Sequence, residues 1–282
     1  MNIEVQALST GRNVFILGAQ RSGTTKLAEL LRQVFGYSGG AEGHSFRYLA
    51  RTIEDRQQIV RTIPPGAYDF HAAGYDAIER EMTLAIYRLV RSRFNGQNWV
   101  DKTPYADMVT AAPLLARHIP NNCFIFIHRN GLHAVASSQA KWPSLFFEDS
   151  CRRWADTVEA FLSVRDQLPS LLTISMEQMV SDPTGFTRSV AGFLGENVPP
   201  DEAILDFFKS PSGSSLATPG VDMRGLSQMG WTAEQAETFR QICGAGMEAL
   251  GYVIPNAAPR SGYLASALER FRFAARFTAK SW

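Results

Sequence analysis

Four short strand-like runs, at residues 14–17, 99–101, 123–127 and 171–175, alternate along the chain with longer stretches whose apolar residues recur at helical spacing. Residues 123–127, Cys-Phe-Ile-Phe-Ile, are apolar at consecutive positions, the pattern of a central strand covered on both faces. Helical periodicity runs over residues 24–35, 76–94, 104–118, 132–139, 147–167, 183–194, 201–208 and 232–250, and Gly251 closes the last of these. Strands alternating with helices predict an α/β domain with a parallel sheet and crossover helices. Residues 63–75 are too rich in Pro and Gly for a regular element, yet they carry aromatics, which fits a lid or an acceptor-side loop. Residues 209–226 form a second predicted loop. Residues 39–51 and 142–147 are further predicted loops.

The first strand runs into Gly18, and Arg21-Ser22-Gly23-Thr24-Thr25-Lys26 then opens a helix. Gly18 and Gly23 stand five apart, as in G-x-x-x-x-G-K-[ST], where small residues let backbone N–H groups close around phosphate oxygens at a helix N-terminus. Nucleotide triphosphatases place a Lys after the second glycine; here that position is Thr24, and the nearest fixed cation is Arg21, inside the loop. The loop is suited to an anion, but its charge is arranged differently from that of a triphosphatase.

The charge balance sharpens this picture. With 28 Lys and Arg against 27 Asp and Glu, the chain has no global basic field to attract nucleic acid, so an anion site must be a local cluster. Three widely spaced Cys fit neither a disulfide framework nor a zinc pattern, and a reduced cytoplasmic setting is the default expectation. No apolar run approaches the roughly 18 residues that span a bilayer, and residues 1–13 lack a signal-peptide pattern. One domain over residues 1–258 is expected, followed by a helical extension over 259–282. In that tail Leu264, Leu268, Phe271, Ala275 and Trp282 form a stripe beside Arg272, Arg276 and Lys280. The stripe fits docking on the chain's own domain, on the mate of a homodimer, or on a membrane surface as a peripheral contact.

At the end of the third strand comes Arg129, where a triphosphatase would need a carboxylate to support Mg²⁺. Ser137 follows eight positions later and Lys141 twelve, i and i+4 neighbours on one helix face. These residues carry a resemblance. The chain resembles the sulfotransferases that use 3′-phosphoadenosine 5′-phosphosulfate (PAPS), in particular the branch whose loop reads R-S-G-T-T, with the tyrosylprotein sulfotransferases and bacterial relatives. The likeness extends through Ser175-Met176-Glu177-Gln178-Met179-Val180-Ser181-Asp182-Pro183, similar to the family's Y-E-D-L-x-x-D-P segment, and through Met223-Arg224-Gly225 and Gly230-Trp231.

The resemblance implies a P-loop NTPase-like parallel sheet flanked by helices and sulfuryl transfer from PAPS to a hydroxyl or amine, with 3′,5′-ADP as product and no metal. It implies that Arg21, Ser22, Gly23, Thr24, Thr25 and Lys26 hold the 5′-phosphosulfate, and that Arg129 and Ser137, with Lys141 and Arg224, hold the 3′-phosphate. It further implies Glu42 as base and Lys102 as support for the reacting group. His44, two residues beyond Glu42, is the competitor for the base because its unperturbed pKa suits neutral chemistry. A small-molecule or lipid-like acceptor is the implied partner. Two other readings stand beside this one: a P-loop kinase with a degenerate loop, and a nucleotide-binding protein without catalysis. Glu177 reads as structural, and the aromatics Phe46, Tyr48, Tyr68, Phe70, Phe146 and Phe147 as acceptor-pocket lining or core.

Overall fold

In the computed structural model, residues 11–39, 42–62, 75–94, 97–210 and 229–254 are described. Residues 63–74 of the loop predicted over 63–75, with Tyr68 and Phe70, residues 211–228 with Arg224, and the extension predicted over 259–282 lie outside them. Four parallel strands form the sheet: β1 (Asn13–Leu17), β2 (Trp99–Lys102), β3 (Asn122–His128) and β4 (Leu171–Ser175), in spatial order β2-β1-β3-β4. Each is one or two residues longer than, or identical to, the run seen in the sequence. β1 pairs through Ile16 with Lys102 on one side and with Ile125 on the other, so the chain leaves β1 in one direction and later returns to its opposite edge. The gap between β1 and β3 is therefore a topological switch point, where open α/β sheets bind ligands beyond their carboxyl ends.

Ten helices connect and cover the strands among the described residues: α1 (Thr24–Gln33), α2 (Ser45–Thr62), α3 (Tyr75–Arg91), α4 (Ala106–His118), α5 (Gly131–Lys141), α6 (Phe147–Val164), α7 (Met176–Ser181), α8 (Pro183–Leu194), α9 (Asp201–Lys209) and α10 (Ala233–Ala249). On one face of the sheet Phe15, Leu17, Phe124 and Phe126 pack with α2, α3, α4 and α6. On the other, Val14, Ile16, Ile125 and Ile127 meet Leu27 and Leu31 of α1, Met179 of α7 and Phe186 and Val190 of α8. Both faces are apolar because both are covered, which explains the unbroken apolar run of β3. A third cluster joins α5, α6 and α10 around Trp154, Phe239 and Met247. No described helix is long and apolar enough to cross a membrane.

Two helices went unread in the sequence. α2 occupies part of the stretch expected to be a loop over 39–51, because Phe46, Leu49, Ala50 and Ile53 recur at helical spacing and are buried together. Their stripe seats on the sheet: Phe46 meets Phe15 edge-on with ring centroids 5.7 Å apart. Phe46 is thus core rather than pocket lining. The short α7 is set by its caps, with Ser175 Oγ accepting from the Gln178 N–H and Asp182 closing it before capping α8 in turn.

Phe15 is fully buried among Phe46, Trp99 and Phe124, with its ring stacked on Phe124 at 5.5 Å. Phe15→Ala is expected to cost about 3–5 kcal/mol in urea denaturation, the range for emptying an aromatic core site. Tyr48→Ala, at a side chain 57% exposed, is expected to stay within about 0.5 kcal/mol of the parent.

Candidate active site

The loop from β1 to α1 is shaped by two backbone demands. Gly18 has φ +149°, and a Cβ there would stand 2.3 Å from the Ile127 carbonyl of β3, so the loop leaves the sheet through a space only glycine fits. Gly23, at φ +89°, is the left-handed N-cap of α1 and offers no side-chain cap. The first N–H groups of α1 are then left for another acceptor. Arg21 is itself left-handed at φ +66°, an uncommon conformation for a side-chain-bearing residue. Ser22 is fully buried, and its Oγ has no hydrogen-bond partner among the described residues. An orphaned buried hydroxyl, uncapped helix N–H groups and a strained arginine are the features of a cradle shaped for an anion.

Arg21 ties this loop to the end of β3. Its Nε donates to Ser137 Oγ of α5 at 3.0 Å, and its carbonyl accepts from Arg129 Nη1 at 3.1 Å. Arg21, Arg129 and Ser137, expected on two separate anion sites, thus form one connected cluster. Burial pushes the pKa of both guanidinium groups down. For Arg129 the nearby Glu177 partly offsets burial, while the positive charge of Arg21 adds to the depression. Burial of both guanidinium groups, with Arg21 adding to the depression at Arg129, makes a bound anion favourable here.

A second group assembles over β2. The Ser38 carbonyl accepts from the Val100 N–H at 2.8 Å, which lays residues 37–39 alongside β2, and a Cβ on Gly39 would stand 2.2 Å from the Val100 carbonyl. The chain then brings Glu42 over the end of the strand. Lys102 Nζ donates to Glu42 Oε1 at 2.8 Å, and His44 Nε2 lies 3.4 Å from Glu42 Oε2. Glu42 is therefore the shared partner of Lys102 and His44. His44 has φ +55°, its Nδ1 is buried without a described partner, and its ring lies near Tyr105 and Tyr48. Beneath this group Asp101 accepts from Thr103 Oγ1 at 2.9 Å, and burial pushes its carboxyl up to about 6. Lys102 works against that shift and Glu42 with it.

Other expected site residues stand apart. Lys26 turns to the carboxyl end of α9, where Nζ donates to the Phe207 and Ser210 carbonyls at 2.9 and 3.0 Å and sits over the Phe207 ring. That correction follows from the C-terminal carbonyls of α9, which attract a cation. Lys141 is exposed at the last turn of α5. Thr24 is buried and Thr25 partly exposed at the start of α1. Phe147 packs on Trp231, whereas Phe146 is exposed. Asp101 was missed as part of this neighbourhood; the signal for it was a lone carboxylate at the end of an otherwise buried strand, next to Lys102.

A sulfotransferase family model matches residues 13–200, two thirds of the chain, which take in β1 to β4 together with Arg21, Ser22, Glu42, His44, Asp101, Lys102, Arg129 and Ser137. The chain belongs to the sulfotransferase family. Among solved structures this sulfotransferase is similar to STF9 from Mycobacterium avium, at 14% identity and a TM-score of 0.56, over 90% of this chain and 80% of that one. It is also similar to mouse sulfotransferase SULT7A1, solved in complex with PAP, at 14% identity and a TM-score of 0.50, over 86% of this chain and 89% of that one. At such identity the likeness is one of fold, a parallel P-loop-like sheet flanked by helices. No curated protein matches the chain in sequence.

The raised carboxyl of Asp101 has a consequence for stability. The folded chain keeps that proton up to about pH 6, whereas an unfolded chain releases it near pH 4. Between these values the folded state binds more protons, so Asp101 makes stability fall as pH rises from 4, with the full loss reached above about 6. Asp101→Asn removes that titration, and its stability in urea, measured across pH 4 to 6, is expected to decline less with rising pH than the parent's.

Proposed function

We propose that this sulfotransferase moves a sulfuryl group from PAPS to a hydroxyl or amine of a small-molecule or lipid-like acceptor in the cytoplasm and releases 3′,5′-ADP. The observation that carries the reading is the paired arrangement at the switch point. A two-arginine cluster with an uncapped helix start lies at β1 and β3, and a Lys–Glu–His group lies at the end of the adjacent β2. The complex of the mouse structural neighbour with PAP supports a 3′-phosphorylated adenosine nucleotide as the donor.

In this reading Ser22, Thr24, Thr25, the α1 N–H groups and Arg21 hold the 5′-phosphosulfate, and Arg129 with Ser137 holds the 3′-phosphate. Glu42 takes the proton of the acceptor O–H as the acceptor oxygen bonds to sulfur and the bond from sulfur to the bridging oxygen of the 5′-phosphate breaks. The electron pair of that bond leaves with 3′,5′-ADP. Lys102 offsets the charge that develops on the bridging oxygen, the electrostatic task a metal carries out in many phosphoryl transfers. Its contact with Glu42 Oε1 at 2.8 Å holds the carboxylate beside the position of the reacting group. Of the two candidate bases, Glu42 is favoured because it touches both Lys102 and His44, leaving His44 to orient it.

Two measurements test the reading. In thermal melts, 3′,5′-ADP is expected to raise the melting temperature by several degrees at about 100 times its Kd, where binding adds about 2.7 kcal/mol, and 5′-AMP and ATP at the same concentration to raise it less. Equal shifts by all three nucleotides would remove the 3′-phosphate site. In turnover assays Glu42→Gln is expected to lose about 10² to 10⁴ in rate, with 3′,5′-ADP affinity intact. A comparable loss in His44→Gln together with near-parental turnover in Glu42→Gln would transfer the base role to His44.

A further inference from the structure

The turn that carries Arg129 is held from four sides. His128 Nδ1 lies 2.7 Å from the Tyr252 hydroxyl, and that hydroxyl donates to Glu177 Oε2 at 2.8 Å. The other oxygen of the same carboxylate, Oε1, accepts from the Asn130 N–H at 2.9 Å. The Arg129 carbonyl accepts from Trp154 Nε1 at 3.1 Å, and the Gly131 N–H meets Met247 Sδ at 3.1 Å. Backbone groups from the Arg129 carbonyl to the Gly131 N–H are thus fixed by side chains from α6, α7 and α10, and the His128 side chain before them is held by Tyr252 of the segment after α10. With the Tyr252 proton given to Glu177, the His128 Nδ1–H donates to the tyrosine oxygen, so a single directed chain of hydrogen bonds runs from His128 to Glu177.

Glu177 has a second connection to Arg129, since its negative charge holds up a guanidinium pKa that burial and Arg21 push down. The ordinary role of an acidic residue in the first turn of α7 would be to favour its helix dipole. That role needs neither a hydrogen bond to the Asn130 N–H nor one from a tyrosine seventy-five residues further along the chain.

We infer that Glu177 and Tyr252 are positioning residues for the 3′-phosphate: through the Asn130 N–H and His128 they set the turn from which Arg129 reaches the nucleotide, and so determine the preference for a 3′-phosphorylated donor. The inference rests on the assignment of Arg129 to that phosphate. It also gives a binding role to a residue beyond the matched span 13–200.

The test is calorimetric titration of the full chain with 3′,5′-ADP and with 5′-AMP, comparing the parent with Tyr252→Phe and Glu177→Gln. Tyr252→Phe removes one hydroxyl and leaves the ring. Glu177→Gln keeps an acceptor for the Asn130 N–H but removes the charge. Each variant is expected to lower the ratio of the 5′-AMP Kd to the 3′,5′-ADP Kd by about tenfold, as loss of an orienting partner behind a ligand-binding group typically does, with 5′-AMP affinity unchanged. A parent that prefers 3′,5′-ADP, with variants that keep its ratio or weaken both nucleotides equally, would overturn the positioning role and leave the donor assignment standing. A parent without preference would overturn the donor assignment and this inference together. Should Glu177→Gln fail to fold, Tyr252→Phe alone decides.

Discussion

Two arginines half-buried at the same strand ends are the constraint to which the rest of the site answers. Removing one guanidinium from water is costly, and placing a second beside it adds repulsion that only a bound anion or nearby acceptors can offset. The fold supplies a carbonyl acceptor for Arg129 from the loop between β1 and α1, a hydroxyl for Arg21 from α5, and the carboxylate of Glu177 beyond the turn. These contacts let the charge persist in the cleft, and they still leave it in excess. Excess positive charge beside uncapped helix N–H groups would suit a multiply charged anion and lessen the reorganisation needed on binding.

The order of the strands turns this local chemistry into a divided site. β1 lies between β2 and β3, so the loop that follows it stands between the Lys102 group and the Arg129 turn. A donor spread across the switch point would then have its reacting end on the β2 side and its far phosphate on the β3 side. The glycines at 18 and 39 serve this geometry in the same way, each allowing a connecting segment to pass against a neighbouring strand's carbonyl where a methyl group would collide.

Sequence periodicity was enough for the sheet and for eight of the ten described helices, because strands covered on both faces and amphipathic helices must show apolar runs of the corresponding period. Of the caps, only Gly251 was read in the sequence; Asp182 before Pro183, Gly195 after α8, and the reciprocal box of Thr232 and Gln235 at α10 came with the structure. α2 was overlooked although its stripe of Phe46, Leu49, Ala50 and Ile53 was present, since glycines and charged residues around it read as a loop. Contact of Phe46 with Phe15 and Trp99 shows which side of the first turns of α2 is core.

The candidate residues divide along the same line. Arg21, Arg129, Ser137, Glu42 and Lys102 could be picked from spacing and family likeness, because the loop chemistry of an anion site is local and Arg21 to Thr25 are consecutive in the chain. That Arg21 joins Ser137 to Arg129, that Glu42 stands between Lys102 and His44, and that Lys26 serves α9 instead of the loop required the tertiary structure. Tyr252 and Glu177 belong to that class as well. Local sequence determines which backbone shapes and charges are available, whereas the pairing of groups far apart in the chain depends on which strand ends the sheet brings together, and no short-range pattern encodes that distance.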